Sequence, residues 1–335
     1  MPDLQRITDY PALLDEAWRQ ATAPRAPSAP TVISTFAGCG GSSLGYHMAG
    51  YRELLAVEWE QNAADTFRLN FPHVSLYHGD IASLSVDECL KRAGVAPGEL
   101  DVFDGSPPCQ GFSTAGKREV DDPRNQLFRE YCRLLSGLRP RAFVMENVSG
   151  MVKGGHKAIF AEVLRTLKSC GYKVKARLLN AMFYGVPQSR ERLIFVGVRD
   201  DIGVEPSHPQ GWSVPVIVRD AFVRVSAPDS PALTPRYREY WNSAPQGGSV
   251  GKLRSVRKLS ENHVPGTLLK SEGNGAPYHY AECRAISTAE RKRIGSFPDA
   301  FVFTDFHSAT ARIGNSVPPL LMRAVASHVR SLIGR

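Results

Sequence analysis

The clearest capacity for covalent chemistry lies in the stretch Ser-Pro-Pro-Cys-Gln-Gly around Cys109. A cysteine thiolate is a nucleophile, and Cys109 follows an apolar run, Leu100–Gly105, that is typical of a strand. Pro107 and Pro108 stiffen the approach to this thiol, and Gly111 lets the chain turn away after it. A lone cysteine is more often a small buried hydrophobe, and we interpret the other five cysteines in that way. For Cys109, however, the position at a strand end favours the role of a nucleophile.

Charged side chains at two later strand ends could assist such a nucleophile. Glu146 ends the apolar run Ala142–Glu146, where partial loss of water would suit its carboxyl group to donating a proton. The alternative for Glu146 is a helix cap or a structural ion pair. Arg190 and Arg192 lie at the entry to the run 192–198, and their spacing of two predicts one shared strand face that could hold an oxygen or a phosphate.

Three earlier strand ends carry groups suited to a nucleotide-like ligand. The run Thr31–Phe36 leads into a loop rich in glycine, which permits a sharp turn close to a ligand. Glu58 could accept hydrogen bonds from ribose hydroxyls, Trp59 could stack on an adenine, and Asp80 could accept its amino group. Each signal alone also describes an ordinary turn or a surface carboxylate. Their order along successive strands favours a cofactor that contains adenosine.

The elements that must position these residues follow from the pattern of apolar runs. Over Thr31–Arg199, short β-rich runs alternate with segments of helical spacing, which predicts a mostly parallel sheet with helices on both faces. In such sheets ligands bind beyond the carboxyl ends of the strands. The alternation stops over Asp201–Cys283, where abundant Pro, Gly and Ser indicate a small loop-rich domain. A short helix (Pro11–Ala21) and a proline-rich linker (Ala23–Pro30) precede the first strand, and we expect them to be a plain N-terminal extension.

Composition excludes several classes of protein. The 335 residues carry a net charge of +8, and residues 201–335, with 17 basic and 11 acidic side chains, supply six of the eight, which favours a polyanionic partner. No apolar run approaches the roughly 20 residues of a membrane span, and no signal-peptide core is present. We therefore expect a cytoplasmic protein with no membrane partner. The six cysteines form no C-x-x-C pair, so we also expect no metal.

Together these residues resemble the DNA (cytosine-5)-methyltransferase family, in its bacterial restriction-modification form. The motifs stand in the order of that family, from the glycine loop and the nucleophile loop to three later blocks: Phe36–Gly45, Gly105–Ser113, Glu146–Val148, Gln188–Arg192 and Gly314–Pro319. The resemblance implies a Rossmann-like sheet of the S-adenosylmethionine-dependent methyltransferases, α/β with helices on both faces, plus a small loop-rich target-recognition domain. It divides the chain into an N-terminal extension and linker (1–30), a catalytic and cofactor-binding domain (31–200), a target-recognition region (201–305) and a C-terminal segment returning to the catalytic domain (306–335).

The resemblance also implies a reaction, the transfer of a methyl group from S-adenosylmethionine to C5 of a flipped-out cytosine in double-stranded DNA. Cys109 would add to C6, Glu146 would hold N3 and the exocyclic amine and protonate the adduct, and Arg192, with Arg190, would hold O2. The implied cofactor pocket consists of Phe36, Gly38, Gly40, Glu58, Trp59, Asp80, Ile81, Pro108, Leu127, Asn315 and Val317. The expected DNA contacts are Gln110, Ser113, Lys117 and Arg118 in the loop after the nucleophile, and a basic cluster of Lys252, Arg254, Arg257 and Lys258.

Two alternatives use much of the same sequence. An RNA (tRNA) cytosine-5 methyltransferase would share the motifs, but the Gly-Phe-Ser that follows Gln110 and the separate region 201–283 favour DNA. A non-catalytic DNA-binding regulator would usually have lost Cys109 or Glu146, and a nicotinamide oxidoreductase would need neither. The chain departs from the family where the usual Arg-x-Leu-Thr-x-Arg-Glu reads Arg-Ala-Ile-Ser-Thr-Ala-Glu over 284–290, which blurs the end of the recognition region. We expect a monomer bound to the nucleoid, with a separately acting cognate restriction endonuclease as a candidate partner.

Overall fold

The computed structural model describes residues 4–108, 123–152, 157–227, 229–230, 232–250, 253–270 and 276–335. The chain forms two compact units, each built from three separate segments. The first, here called the sheet unit, comprises Ala23–Leu179, Glu191–Pro209 and Arg323–Arg335. The second unit comprises Met1–Thr22, Asn180–Arg190 and Gln210–Met322. The domain boundaries expected from the sequence stay predictions.

One large sheet organises the sheet unit. Its strands are β1 (Thr31–Thr35), β2 (Arg52–Glu58), β3 (Ser75–His78), β4 (Val102–Gly105), β5 (Ala142–Val148), β6 (Tyr172–Asn180) and β7 (Glu191–Arg199). Within the described ranges these seven strands have the order β3-β2-β1-β4-β5-β7-β6. Strands β1 to β5 pair in parallel, whereas β7 runs antiparallel to β5. The order reverses between β1 and β4, and a crevice for a ligand forms at such a point. The prediction of a Rossmann-like α/β sheet is confirmed.

Helices cover this sheet because their apolar residues recur every three to four positions. They are α2 (Gly41–Met48), α3 (Gln61–Asn70), α4 (Val86–Ala93), α5 (Pro123–Leu138) and α6 (Lys157–Ser169). Helix α5 shows the pattern most clearly, since Phe128, Tyr131, Leu135 and Leu138 all have at most 2% of their surface exposed. Every residue of β4 is buried, as expected for a central parallel strand covered on both faces.

The second unit is richer in loops. Its helices are α1 (Tyr10–Thr22), α7 (Val218–Ala221), α8 (Pro235–Ser243), α9 (Thr288–Ile294) and α10 (Phe306–Asn315), and its strands are β8 (Ser249–Val250), β9 (Leu253–Lys258) and β10 (Ala276–Tyr278). A last helix, α11, spans Pro319–Leu332. Strand β9 lies between β10 and β8, and a small core around Leu233, Tyr278 and Ala285 packs beside it.

Helix α1 is packed into the second unit and is more than a plain extension. Tyr10, Leu14 and Ala17 recur at helical spacing and have at most 1% of their surface exposed. The Tyr10 hydroxyl donates a hydrogen bond to the backbone carbonyl of Arg293 at 2.9 Å. The ring of Trp18 meets Phe301 edge to face, with 6.4 Å between ring centroids. None of the helices in the described part of the chain combines the length and apolarity that a membrane span requires.

Candidate active site

Glu146 and Arg192 meet where β5 and β7 run side by side. The antiparallel register pairs Arg192 with Val148, so Glu146 is its diagonal neighbour, and long side chains can bridge that separation. The Nε atom of Arg192 lies 2.7 Å from Oε1 of Glu146. The two side chains are 12% and 10% exposed. The structure therefore brings together two of the predicted catalytic residues as an ion pair that is mostly withdrawn from water.

The neighbouring Asn147 connects this pair to the approach of the predicted nucleophile. Its Nδ2 atom donates a hydrogen bond to the carbonyl of Pro107 at 3.0 Å, and its Oδ1 accepts one from the backbone N–H of Val148 at 2.9 Å. Pro107 stands two residues before Cys109, so the chain leading to the cysteine is held against β5. Several predicted site residues lie outside the described residues, namely Cys109, Gln110, Ser113, Lys117, Arg118, Lys252 and the side chain of Arg254.

Arg190 has surroundings different from those of Arg192. Strand β7 begins only at Glu191, so the two arginines do not share a strand, contrary to the expectation from their spacing. Arg190 lies in the second unit with 1% of its surface exposed. Its guanidinium donates hydrogen bonds to the backbone carbonyls of Leu268 at 3.1 Å and Gly314 at 2.7 Å. Its described contacts therefore fix backbone segments.

Glu58 and its neighbours form the end of the sheet unit predicted to hold a cofactor. Glu58, 7% exposed, accepts backbone hydrogen bonds from Gly38 at 2.7 Å, Trp59 at 2.9 Å and Glu60 at 2.8 Å. The Trp59 side chain beside it is 76% exposed. Gly38 has a φ of 58°, and a Cβ placed there would meet no atom within 4 Å. This group combines open space along a glycine loop, a fixed carboxylate and an uncovered indole face.

The other predicted cofactor residues have mixed surroundings. Gly40 has a φ of 94°, and a Cβ there would lie 2.3 Å from the Phe71 ring, so packing of the loop onto a helix already requires this glycine. Asp80 accepts a hydrogen bond from the backbone N–H of Ala82 at 3.0 Å and begins a short helical turn. The remaining members differ in burial. Phe36, Pro108 and Leu127 are half-buried, Ile81 and Val317 are buried, and Asn315 is exposed.

Sequence reasoning missed Asp104, a carboxyl group five residues before Cys109. Asp104 is 2% exposed, and the hydroxyl of Tyr46 donates a hydrogen bond to its Oδ1 at 3.2 Å. Burial raises the pKa of Asp104 well above its ordinary value, and the nearby carboxylates of Glu53 and Glu146 act in the same direction. An aspartate inside the apolar run 100–105 is the signal that could have revealed a buried carboxyl group with a raised pKa.

The described members of the predicted basic cluster differ from each other. Arg257 on β9 is exposed. The ammonium group of Lys258, the next residue, lies 3.7 Å from the ring centroid of Trp241 and is half-buried. Arg257 is therefore open to solvent, whereas Lys258 makes a cation–π contact. Among the residues that the structure describes, no group of three or more His, Cys, Asp or Glu side chains could hold a metal ion.

Comparison with known proteins gives a consistent result. The chain matches the model of the C-5 cytosine-specific DNA methylase family over residues 30–235 and 228–331. It is 35% identical over 327 residues to the Type II methyltransferase M1.HphI of Haemophilus parahaemolyticus, covering 89% of this chain and 86% of the relative. It is 30% identical over 352 residues to M.NgoPII of Neisseria gonorrhoeae, covering 94% and 100% of the two chains.

Solved structures agree with this family match. A protein from E. coli described as a prophage-encoded DNA modification methyltransferase superposes with a TM-score of 0.79 at 25% identity, covering 91% of this chain and 100% of that one. The S. pombe Dnmt2 methyltransferase superposes with a TM-score of 0.66 at 18% identity, covering 90% and 98% of the two chains. The second likeness shows the fold alone.

Proposed function

Because this chain belongs to the C-5 cytosine-specific DNA methylase family, we propose a division of labour among its residues for the methylation of cytosine at C5 in DNA. Cys109 is the nucleophile, Glu146 binds and protonates the base, and Arg192 holds the base at O2. The observation that supports this most directly is the Glu146–Arg192 pair on β5 and β7. Asn147 on the same strand holds Pro107, two residues before Cys109.

The reaction begins with addition of the Cys109 thiolate to C6 of the cytosine. The electron pair of the C5–C6 double bond moves to C5. Glu146, which takes up a proton from solvent as the base enters, gives that proton to N3 and neutralises the charge that the addition places on the ring. Arg192 keeps the Glu146 carboxyl group in place and donates a hydrogen bond to O2. Once C5 carries the methyl group, the proton on C5 is lost to solvent. The Cys109 thiolate then leaves C6 and N3 returns its proton to the Glu146 carboxylate, which restores the C5–C6 double bond.

The family implies S-adenosylmethionine, which supplies the methyl group when bound. Gly38, Glu58 and Trp59 fit this cofactor. A carboxylate offers about four acceptor positions, and Glu58 uses three of them on backbone N–H groups, which leaves capacity for a ribose hydroxyl. The exposed indole of Trp59 offers a stacking surface for adenine. We assign further contacts to the rest of the predicted pocket: Phe36, Gly40, Asp80, Ile81, Pro108, Leu127, Asn315 and Val317.

The proposed substrate is double-stranded DNA, which the protein methylates as a monomer in a bacterial cytoplasm. The cytosine must leave the stack to reach the site, at a cost of a few kcal/mol that contacts with the duplex offset. Exposed Arg257 on β9 is one residue that can meet a phosphate. A cognate restriction endonuclease, acting separately on unmethylated sites, is the partner proposed for this activity.

Transfer of a labelled methyl group tests the proposal. Purified protein is incubated with labelled S-adenosylmethionine and either genomic duplex DNA or a tRNA pool, and label is counted in each nucleic acid. We expect label in DNA, its loss in Cys109→Ala, and its retention in the matched control Cys283→Ala, which replaces an exposed cysteine. DNA binding should survive in both variants. Label in tRNA alone, or full activity of Cys109→Ala, would contradict the proposal.

A further inference from the structure

A network of hydrogen bonds in the second unit holds residues Pro265–Lys270, here called the anchored segment. The backbone N–H of Ser189 donates to the first carbonyl of the segment at 2.9 Å. The Oε1 atom of Gln188 accepts from the backbone N–H of Leu268 at 3.1 Å, and the hydroxyl of Thr267 donates to the carbonyl of Ser189 at 3.0 Å. Gln188 and Ser189 thus hold the anchored segment at its first residue and at Thr267 and Leu268.

Arg190 extends this network to a second element. Its Nη1 atom donates to the carbonyl of Leu268 at 3.1 Å and to Oε1 of Gln188 at 3.4 Å, while Nη2 donates to the carbonyl of Gly314 at 2.7 Å. Gly314 belongs to the last turn of α10. One buried guanidinium therefore ties the anchored segment to the end of that helix, and its planar fork of donors suits two fixed acceptors.

Gly314 makes a close approach of the two backbones possible. A Cβ at this position would lie 2.5 Å from the carbonyl carbon and oxygen of Leu269 and 2.5 Å from the backbone nitrogen of Lys270. Real Cβ atoms do not approach backbone atoms so closely, so only glycine lets the 269–270 peptide rest on α10. Two successive peptides of the segment are thereby held, the 268–269 peptide by Arg190 and the 269–270 peptide by the helix.

The side chains of the fixed peptide are open to solvent. Leu268 is 4% exposed, but Leu269 is 50% exposed, and Lys270 is exposed as well. A single exposed leucine is ordinary. Here it stands on a backbone with fixed position, next to a cation. An apolar side chain can contact a thymine methyl group or enter a base step, and a lysine can meet a phosphate.

We propose that Arg190 is a positioning residue that fixes the anchored segment, so that Leu269 and Lys270 contact the duplex and help to determine which sequence is methylated. This inference rests on the proposed DNA methylation. Arg190 touches neither the base nor the cofactor and acts through the backbone of the anchored segment. Its role is separate from that of Arg192, which pairs with Glu146.

Two variants test the two parts of this proposal. Arg190→Lys keeps the charge but removes the planar fork, so it should loosen the segment. We expect faster amide exchange at Leu268–Lys270 and a KM for duplex DNA raised about tenfold, with kcat and the affinity for S-adenosylmethionine nearly unchanged. Leu269→Ala should leave exchange unchanged and reduce discrimination against single-mismatch sites about tenfold, the scale of one lost base contact. The matched control is Leu69→Ala, which replaces a leucine that is 54% exposed on α3.

The outcomes separate this inference from the proposed function. A fall in kcat at unchanged KM in Arg190→Lys would mean that Arg190 acts in the chemistry and would overturn the positioning role. Equal discrimination by the Leu269→Ala and Leu69→Ala variants would overturn the DNA contact, and this test survives a failure of the Arg190 variant to fold. Absence of label in DNA with the wild-type protein would overturn the proposed function and this inference together. Label in DNA with either preceding result would overturn the inference alone.

Discussion

Replacing Arg192 with methionine should lower the free energy of unfolding, because it removes the positive charge that lies beside the Glu146 carboxylate. The two charges lie 2.7 Å apart, with 12% and 10% of their side chains exposed. Breaking a buried ion pair costs about 3–5 kcal/mol, and breaking an exposed one costs at most about 1 kcal/mol. Exposure near one tenth places this pair toward the buried limit. We expect a loss of about 2–4 kcal/mol for Arg192→Met.

A double variant separates stability from catalysis. Combining Arg192→Met with Glu146→Gln removes both charges and keeps the size of each side chain, so at least half of the lost stability should return. Methylation should stay undetectable in both single variants and in the double variant, because in the proposed function Glu146 protonates the base and Arg192 holds it. A double variant that regains stability but not activity would show that Glu146 and Arg192 are needed for the reaction and not only for folding.

Urea unfolding followed by circular dichroism measures these differences for the wild type and the three variants. A loss below about 0.5 kcal/mol for Arg192→Met would mean that the pair behaves as a solvated surface contact. A double variant no more stable than Arg192→Met would show that the unpaired charge of Glu146 is not the cause of the loss. Either result would contradict a stabilising ion pair between Arg192 and Glu146.

Three further perturbations test the buried carboxyl group of Asp104, the packing of α1 and the basic residues of β9. In the wild type, Asp104 keeps its proton to a higher pH when folded than when unfolded, so the free energy of unfolding should fall by up to about 1.4 kcal/mol per pH unit above about pH 4. Asp104→Asn should lack this fall, and a difference from wild type that stays constant with pH would contradict it. Leu14→Ala, in the buried face of α1, should cost about 2–5 kcal/mol in urea unfolding, whereas Leu4→Ala, 40% exposed, should cost under about 0.5 kcal/mol; equal losses would show that α1 is only loosely attached. Arg257→Gln should lower the slope of log Kd for DNA against log salt by about 0.9, and Lys258→Gln should lower it less because of its contact with Trp241; the reverse order would place Lys258 on the phosphates.

The central strands of the sheet were predictable from the sequence, and its edges were not. Apolar runs indicated β1, β2, β4, β5 and β7, which lie inside the sheet and are mostly buried. Strands β3 and β6 lie at the two edges. Each has exposed or half-exposed positions along its length, so neither forms a continuous apolar run. An edge strand has water in place of one neighbouring strand, so its residues can be polar and it need not show a continuous apolar run in the sequence.

Short motifs in the sequence predicted the residues of the candidate site. Glu146 and Arg192 could be found in this way, but their pairing depends on the register of β5 against β7, which local sequence does not encode. Arg190 shows the same limit, since its carbonyl partners lie 78 and 124 residues further along the chain. The spacing of apolar residues predicted that α1 is a helix with one apolar face. Its contact with Arg293, 283 residues from Tyr10, was not predictable from that spacing.

Bisulfite sequencing measures whether the protein methylates cytosine through Cys109. DNA is sequenced from a host that lacks its own cytosine methylation and expresses the wild type, Cys109→Ala or Cys283→Ala. We expect protected cytosines at one recurring sequence with the wild type and Cys283→Ala, and none with Cys109→Ala. Protection that persists with Cys109→Ala, or no protected cytosine with the wild type, would contradict methylation through Cys109.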